Sequence, residues 1–283
     1  MSPSIRDTGF PTSDAQDDFA RARRRAVLAK IGARLRGQPS DVGLILPFEE
    51  VVDALGRVSE RSLGLQPIAL DSIVGTVGRT RDFDRSFRPT SNRSRPRWER
   101  IANAQRRGKD MPPIAVYRIG DMHFVRDGHH RVSVARAQGR EDIDAYVTEV
   151  TTRIGADRAI RLADLPLKDH LRMFLERVPL SDEQLAEVRL SDPWQYACLA
   201  EGIEAWGFRL SQSSGEFLSR EDVARVWLEE EFRPVAQMLR ESDLIGTGTP
   251  ADAYLRVSDD RYRLMRTHEW SDQVIERLQR EQR

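Results

Sequence analysis

The residues best suited to chemistry are concentrated between positions 123 and 131. Three of the five histidines lie there, two of them in the run Asp127–Arg131, which reads DGHHR. The surrounding pattern predicts a strand that ends near Arg126, a sharp Asp-Gly turn, and a helix that begins near His130. The first turn of a helix has unpaired backbone N–H groups and a partial positive charge, and both favour an anion. This segment therefore predicts a phosphate-binding turn.

Each residue of the turn is suited by its chemistry to a particular role in binding phosphate or in catalysis. Gly128 lets a phosphate approach the backbone closely, and Arg131 offers a permanently charged, bidentate fork. His129 and His130 can donate a hydrogen bond or carry a proton, so both are candidate catalytic residues. Asp127 can cap the helix, orient a histidine in catalysis, or bind Mg²⁺ that accompanies a phosphate. The alternative is a plain Asp-Gly turn beside histidines that are surface or satisfied core groups.

The stretch Arg79–Lys109 lies before this turn and is strongly basic. It contains eleven basic and three acidic side chains, a net charge of +8. As a phosphate-facing surface it would gather Arg79, Arg81, Arg97 and Arg100, and we take the first two as candidate nucleotide-binding residues. A solvated or interdomain surface explains the same composition equally well.

Periodicity indicates the elements that must position the turn. Alternating apolar residues on both sides of Gly120-Asp121 predict a two-stranded hairpin. A helix ending at Gly139 and a strand over Asp142–Val150 follow. The first helix is predicted from Phe19 to Arg36, with Asp17 or Asp18 as its cap.

After Thr151 the chain reads as helical, with helix starts at Ser219 and at Thr249-Pro250 and a kink or division at Pro234. The expected fold is therefore α+β: a small mixed α/β domain followed by an α-helical domain. The predicted divisions are a disordered tail (1–18), an N-terminal helical segment (19–65), the mixed domain (66–152) and the helical C-terminal domain (153–283).

The stretch from Leu70 through Val150 resembles the ParB/sulfiredoxin-fold superfamily. Its signature is a Gly-x-x-Arg turn at the start of a helix, and Gly128–Arg131 matches it. The longer run from Asp127 is similar to the form found in nucleotide-dependent free serine kinases. The resemblance implies that the turn holds nucleotide phosphates, with ATP, ADP or CTP and Mg²⁺ as the expected ligands.

The departures from this family narrow the expected function. Sulfiredoxins carry a reactive cysteine where this chain has His129, and the only thiol here is Cys198. ParB partition proteins typically have Gly-Glu-Arg-Arg at the turn and a helix-turn-helix domain after it, and no clear helix-turn-helix follows here. The serine kinases use a glutamate after their first strand, and Val74–Arg79 contains none. The acidic residues that could replace it are Asp82, Asp84 and Glu99.

The charge and composition of the chain limit the kinds of partner that we expect it to bind. The 45 basic and 45 acidic side chains give a net charge of zero, which divides into +6 over residues 1–150 and −6 over residues 151–283. An acidic second half opposes general DNA binding. One cysteine excludes an internal disulfide framework. The absence of a long apolar run and of a signal-peptide pattern leads us to expect a cytoplasmic protein without a membrane partner.

These observations lead to two main functional hypotheses. The first is a nucleotide-binding protein, an NTP-dependent phosphotransferase acting on a small hydroxyl compound or an NTP hydrolase, that acts at the Gly-His-His-Arg turn. The alternative is a DNA-associated, partition-like or regulatory protein that uses the fold as a binding switch. A scaffold with a vestigial pocket is a third reading, and an oligomer is compatible with each.

Overall fold

The computed structural model describes residues 8–265 and 270–281, and the chain divides into the units Met1–Asp169 and His170–Arg283. The strands are β1 (Leu46–Pro47), β2 (Arg57–Ala69), β3 (Ile73–Thr76), β4 (Ile114–Ile119), β5 (Met122–Asp127) and β6 (Asp142–Thr152). The helices of the first unit are α1 (Pro11–Leu35), α2 (Phe48–Leu55), α3 (Arg95–Arg106) and α4 (His129–Ala137). Helix α5 (Leu165–Arg177) includes residues of both units. The later helices are α6 (Asp182–Glu187), α7 (Tyr196–Ser214), α8 (Arg220–Val226), α9 (Arg233–Glu241), α10 (Pro250–Met265) and α11 (Asp272–Glu281).

The strands form one mixed sheet in the order β1-β3-β5-β4-β6-β2. The pairs β1–β3, β3–β5 and β4–β6 are parallel, whereas β4–β5 and β2–β6 are antiparallel. The predicted hairpin is confirmed, because β4 and β5 pair on either side of Gly120-Asp121. With helices before, between and after the strands, the predicted α+β class is confirmed.

Helix α4 packs on the sheet and belongs to its core. Its Val132 and Ala135 join a buried cluster with Val116 of β4 and Val125 of β5. The same cluster includes Phe87 from the loop between β3 and α3, which covers the start of α4. Burial of these side chains fixes the position of α4 against the ends of the central strands.

Helices α1, α3 and α4 pack together through a second buried cluster. Phe19 and Trp98 meet edge to face with ring centroids 5.5 Å apart, and Val134 of α4 completes the contact. The indole Nε1 of Trp98 donates a buried hydrogen bond of 2.9 Å to Ser133 Oγ on α4. The position of α3 relative to α4 is therefore set by both apolar packing and a specific polar contact.

The N-terminal boundaries differ from those predicted. Helix α1 begins at Pro11 rather than Phe19, because a proline is well suited to the first helical position. No side chain caps it, and Asp18 instead forms a buried ion pair of 2.5 Å with Arg106 of α3. The segment predicted as a disordered tail therefore includes helix from Pro11 onwards, while residues 1–7 lie outside the described part of the chain.

Strand β2 corrects the predicted N-terminal helical segment (19–65). It spans Arg57–Ala69, so the end of that segment is strand and the predicted boundary between residues 65 and 66 falls inside it. Most of its residues are exposed, and only Ile68 is buried. An edge strand with so little apolar alternation lacks the periodic signal on which the prediction depends.

After β6, the described elements are helical, as predicted. Ser219 Oγ accepts a hydrogen bond from the backbone N–H of Asp222 at the start of α8. At the start of α10 the backbone N–H of Asp252 donates to Thr249 Oγ1, and the backbone N–H of Thr249 donates to Asp252 Oδ2. The predicted break at Pro234 coincides with the change from a π-helical segment, Trp227–Phe232, to α9. Within the described residues, no helix is both long enough and apolar enough to cross a membrane.

Candidate functional site

The turn between β5 and α4 depends on the conformation of Gly128. Its φ of 100° and ψ of 16° are left-handed, a region that a residue with a side chain rarely adopts. A Cβ at this position would lie 2.4 Å from Cγ2 of Ile114, so the site lacks room for one. Among the described residues no side chain caps the first turn of α4, which starts at His129 and not at the predicted His130. The first N–H groups of the helix thus remain available to an external acceptor.

A small crevice of about 30 Å³ lies at this turn. It is lined by Arg79, Arg97, Ile101, Asp127, Gly128, His129, His130 and Arg131. The space suits about one or two water molecules, or the oxygens of a single phosphate, with the rest of a ligand outside. Its charged side chains are three arginines and one aspartate, so the lining favours an anion.

Two of these arginines come from elements before the turn. Arg97 lies on the exposed side of α3, next to the buried Trp98 that fixes this helix against α4. In the described part of the chain its guanidinium forms neither an ion pair nor a hydrogen bond. Arg79 follows β3 in a left-handed conformation, φ 53°, and its Nη1 is 3.5 Å from Oδ2 of Asp82. Arg97 is therefore the crevice cation most available to a ligand.

His129 joins α4 to strand β3. Its Nε2 is 2.6 Å from Oγ1 of Thr76, whose hydroxyl also lies 2.6 Å from the carbonyl oxygen of Gly78. Because the single hydroxyl proton is donated to that carbonyl, Nε2 must donate to Thr76, and this assigns the neutral tautomer with its proton on Nε2. Burial, followed by the charge of the nearby Arg79, lowers the pKa of His129 from 6.5 to about 4. His129 is thus neutral at pH 7 and holds the turn in place.

His130 faces a different environment. It is only 6% exposed, and its ring contacts Phe83 edge to face at 5.3 Å. Burial, followed by the charge of Arg97, lowers its pKa to about 4. Its Nδ1 is buried and has no hydrogen-bond partner among the described residues. This ring nitrogen is a polar group in the crevice wall that still lacks a partner.

Arg131 anchors the turn. Its Nη1 donates to the carbonyl oxygens of Pro112 and Pro113, the latter at 2.8 Å, and Nη2 is 2.5 Å from Oδ2 of Asp127. The predicted free fork is therefore already engaged by the segment before β4 and by Asp127. Arg131 contributes positive charge to the crevice, while its N–H groups fix the backbone around Gly128.

Asp127 is the residue predicted to bind Mg²⁺. Asp127 is the only acidic side chain of the crevice lining and is 69% exposed. In residues 8–265 and 270–281, no group of three or more histidine, cysteine, aspartate or glutamate side chains is arranged to hold a metal ion. Mg²⁺ commonly uses one protein carboxylate together with phosphate oxygens and water. Asp127 is the carboxylate that would take that limited role, and its Oδ2 is also paired with Nη2 of Arg131 at 2.5 Å.

The remaining residues that the sequence suggested for phosphate binding or catalysis differ in their position and in their partners. Arg81 is exposed and lies outside the crevice lining. Asp84 is occupied by Arg88, and Glu99 by Arg95 at 2.6 Å. Of the three acidic candidates, Asp82 is the one whose charge acts on both crevice histidines.

Thr76 is the functional partner that sequence reasoning missed. In the sequence it is one residue of the segment Val74–Arg79, which is distinguished there by its lack of a glutamate, and the structure places it at the end of the buried strand β3. No signal in the sequence connects it with His129, since the two are brought together only by the parallel pairing of β3 with β5.

Comparison of the chain with protein-family models, with curated proteins and with solved structures finds no match. The resemblance to the ParB/sulfiredoxin-fold superfamily therefore depends on the Gly128–Arg131 turn and on the elements around it.

Proposed function

We propose that this protein binds the phosphate groups of a nucleotide at the crevice between α3 and the first turn of α4. The observation that carries the proposal is the guanidinium of Arg97, unpaired among the described residues, which lines the same crevice as the uncapped first turn of α4 and Gly128. A phosphate supplies the charge and the acceptor oxygens that these groups lack. ATP, ADP and CTP, each with Mg²⁺, are the nucleotides to test.

The proposed chemistry is hydrolysis of a nucleoside triphosphate or phosphoryl transfer to a small hydroxyl compound. Such reactions depend mainly on position and on neutralisation of phosphate charge, which Arg79 and Arg97 can provide. Asp127 can hold Mg²⁺ together with the phosphates. Asp82 or a neutral histidine can accept the proton of the attacking hydroxyl or water.

Thermal unfolding with and without nucleotide tests binding. A ligand that binds only the folded chain at about 100 times its Kd stabilises it by about 2.7 kcal/mol and raises its Tm. We expect such a rise for at least one of the three nucleotides with Mg²⁺, and its loss in Arg97→Ala. Arg107→Ala is the matched control, since Arg107 is exposed just after α3 and lies outside the crevice. The proposal fails if no nucleotide raises the Tm, or if Arg97→Ala responds as the wild type does.

A further inference from the structure

The second unit contains a larger cleft, unrelated to the crevice at α4. Its volume is about 830 Å³, within the range of about 300–1,000 Å³ typical of small-molecule sites. Helix α10 contributes Leu255, Ser258 and Arg261 to the lining. These positions are three residues apart, so they lie on one face of the helix. Trp206 of α7 adds aromatic surface.

Arg261 is the most unusual residue of this cleft. It is 4% exposed, and both its Nε and its Nη1 are buried without a hydrogen-bond partner in the described chain. Its guanidinium carbon lies 4.0 Å from the ring centroid of Trp270. The nearest carboxylate oxygen, Oε1 of Glu231, is 3.9 Å from Nη1, which is too far for a hydrogen bond. A buried guanidinium with unused donors is costly unless an acceptor meets it.

Two further groups in the cleft lack partners. Ser258 Oγ, one turn before Arg261, is buried without a hydrogen bond among the described residues. Arg209 of α7 is half-buried, also lines the cleft, and has no ion pair in the described chain. Burial lowers the pKa of the Arg261 guanidinium, Glu231 and Tyr254 raise it, and the like charge of Arg209 also lowers it. Arg209 and Arg261 therefore place two positive charges at this cleft, and in the described chain only Glu231 forms an ion pair with either of them.

The acidic residues of the lining balance these two arginines only in part, through the ion pair of Glu231 with Arg261. Glu231 accepts hydrogen bonds from Trp270 Nε1 at 3.0 Å and from the hydroxyl of Tyr254 at 3.3 Å. Asp252 accepts from Ser191 and Thr249, and Asp192 from the backbone N–H of Trp194. Asp259 is exposed to solvent.

We infer that this cleft binds a small organic anion, in which a carboxylate or phosphate group meets Arg261 and Arg209 while an aromatic or apolar body lies along Trp206 and Leu255. The anion supplies the acceptors that Arg261 and Ser258 lack. The apolar body removes the exposed parts of the cleft wall from water.

Calorimetric titration of the full chain with benzoate, phenyl phosphate and benzamide tests this inference. Benzamide has nearly the shape of benzoate without its charge, and the two anions distinguish a carboxylate site from a phosphate site. We expect at least one anion to bind at one site, with benzamide weaker by at least about tenfold. Arg261→Gln and Arg209→Gln should each weaken the anion by about tenfold or more.

The controls separate this cleft from the crevice and from general charge effects. Arg263→Gln removes an equal charge from a side chain that is 72% exposed on α10 and should leave anion affinity unchanged. Anion binding that is lost in Arg97→Ala but kept in Arg261→Gln belongs to the crevice at α4 and would contradict the inference. If Arg261→Gln does not fold, Arg209→Gln carries the test, because Arg209 is half-buried and has no ion pair to lose within the described residues. The inference is overturned if neither anion binds, if benzamide binds equally well, or if the arginine variants that fold bind the anion as the wild type does.

Discussion

Gly128 determines the backbone path on which the proposed phosphate site depends. A side chain there would combine a left-handed backbone with a contact of 2.4 Å to Ile114. Gly120, at the other end of β5, is also left-handed at φ 57°, but a Cβ there would meet only an ordinary contact of 3.6 Å. Adding a side chain at each of the two glycines therefore distinguishes the energetic cost of a left-handed backbone from the cost of crowding against Ile114.

We expect Gly128→Ala to lower the free energy of unfolding by about 2–4 kcal/mol and to abolish nucleotide binding. Gly120→Ala should cost only about 1–2 kcal/mol and preserve binding. Urea unfolding of both variants, with a nucleotide titration of each, measures these effects. Equal losses of stability would show that crowding at Ile114 is unimportant.

The buried histidines make stability depend on pH. Burial lowers the pKa of His123, His129 and His130 from 6.5 to about 4. Between these values the unfolded chain binds more protons than the folded chain, so protonation favours unfolding. Stability should be complete above about pH 6.5, fall as the pH drops towards 4, and lose up to roughly 3 kcal/mol for each histidine.

Urea unfolding at several pH values between 7 and 5 measures this slope. His123→Gln should reduce it without affecting the crevice, because His123 contacts Ser72 and not the turn. A slope that is absent in the wild type, or unchanged in this variant, contradicts the assignment of neutral buried histidines.

At the scale of elements, local sequence patterns predicted the strands, turn and helix that form the site, but they did not predict the packing of other elements around it. The β4–β5 hairpin, the turn at Gly128 and helix α4 follow from alternation, an Asp-Gly pair and helical spacing, all of which are contiguous in sequence. The position of Arg97 in the crevice lining depends on how α3 packs, and the sequence could only place Arg97 among several basic residues. The engagement of Arg131 by the carbonyl groups of Pro112 and Pro113 also had no sequence signal, since it joins residues that the fold brings together.

The link between α3 and α4 is the element contact that positions Arg97. Ser133→Ala leaves the buried Nε1 of Trp98 without an acceptor, which we expect to cost about 1–3 kcal/mol. Nucleotide affinity should also fall, because α3 carries Arg97. Ser94→Ala is the matched control, since the buried Ser94 hydroxyl has no partner among the described residues and its loss should be nearly neutral. Stability and nucleotide titrations of the pair measure both effects, and equal behaviour of the two variants would contradict this role for Ser133.

At the scale of the whole chain, charge separates the nucleotide hypothesis from the DNA-associated alternative. The basic stretch Arg79–Lys109 is partly neutralised, because Arg88, Arg95 and Arg106 pair with acidic side chains. The total charge of the chain is zero. We therefore expect only weak, salt-sensitive binding to duplex DNA, with a Kd no tighter than about 10 µM at physiological salt. Fluorescence anisotropy with a labelled duplex measures it, and submicromolar binding would favour the DNA-associated alternative.

The central claim is that nucleotide phosphates bind at the first turn of α4, and backbone amide NMR tests it most directly. On addition of ATP, ADP or CTP with Mg²⁺, the largest shifts should appear at the amides of His129, His130 and Arg131, and Arg97→Ala should remove them. Shifts that are absent with all three nucleotides, or confined to residues away from this turn, would contradict the claim.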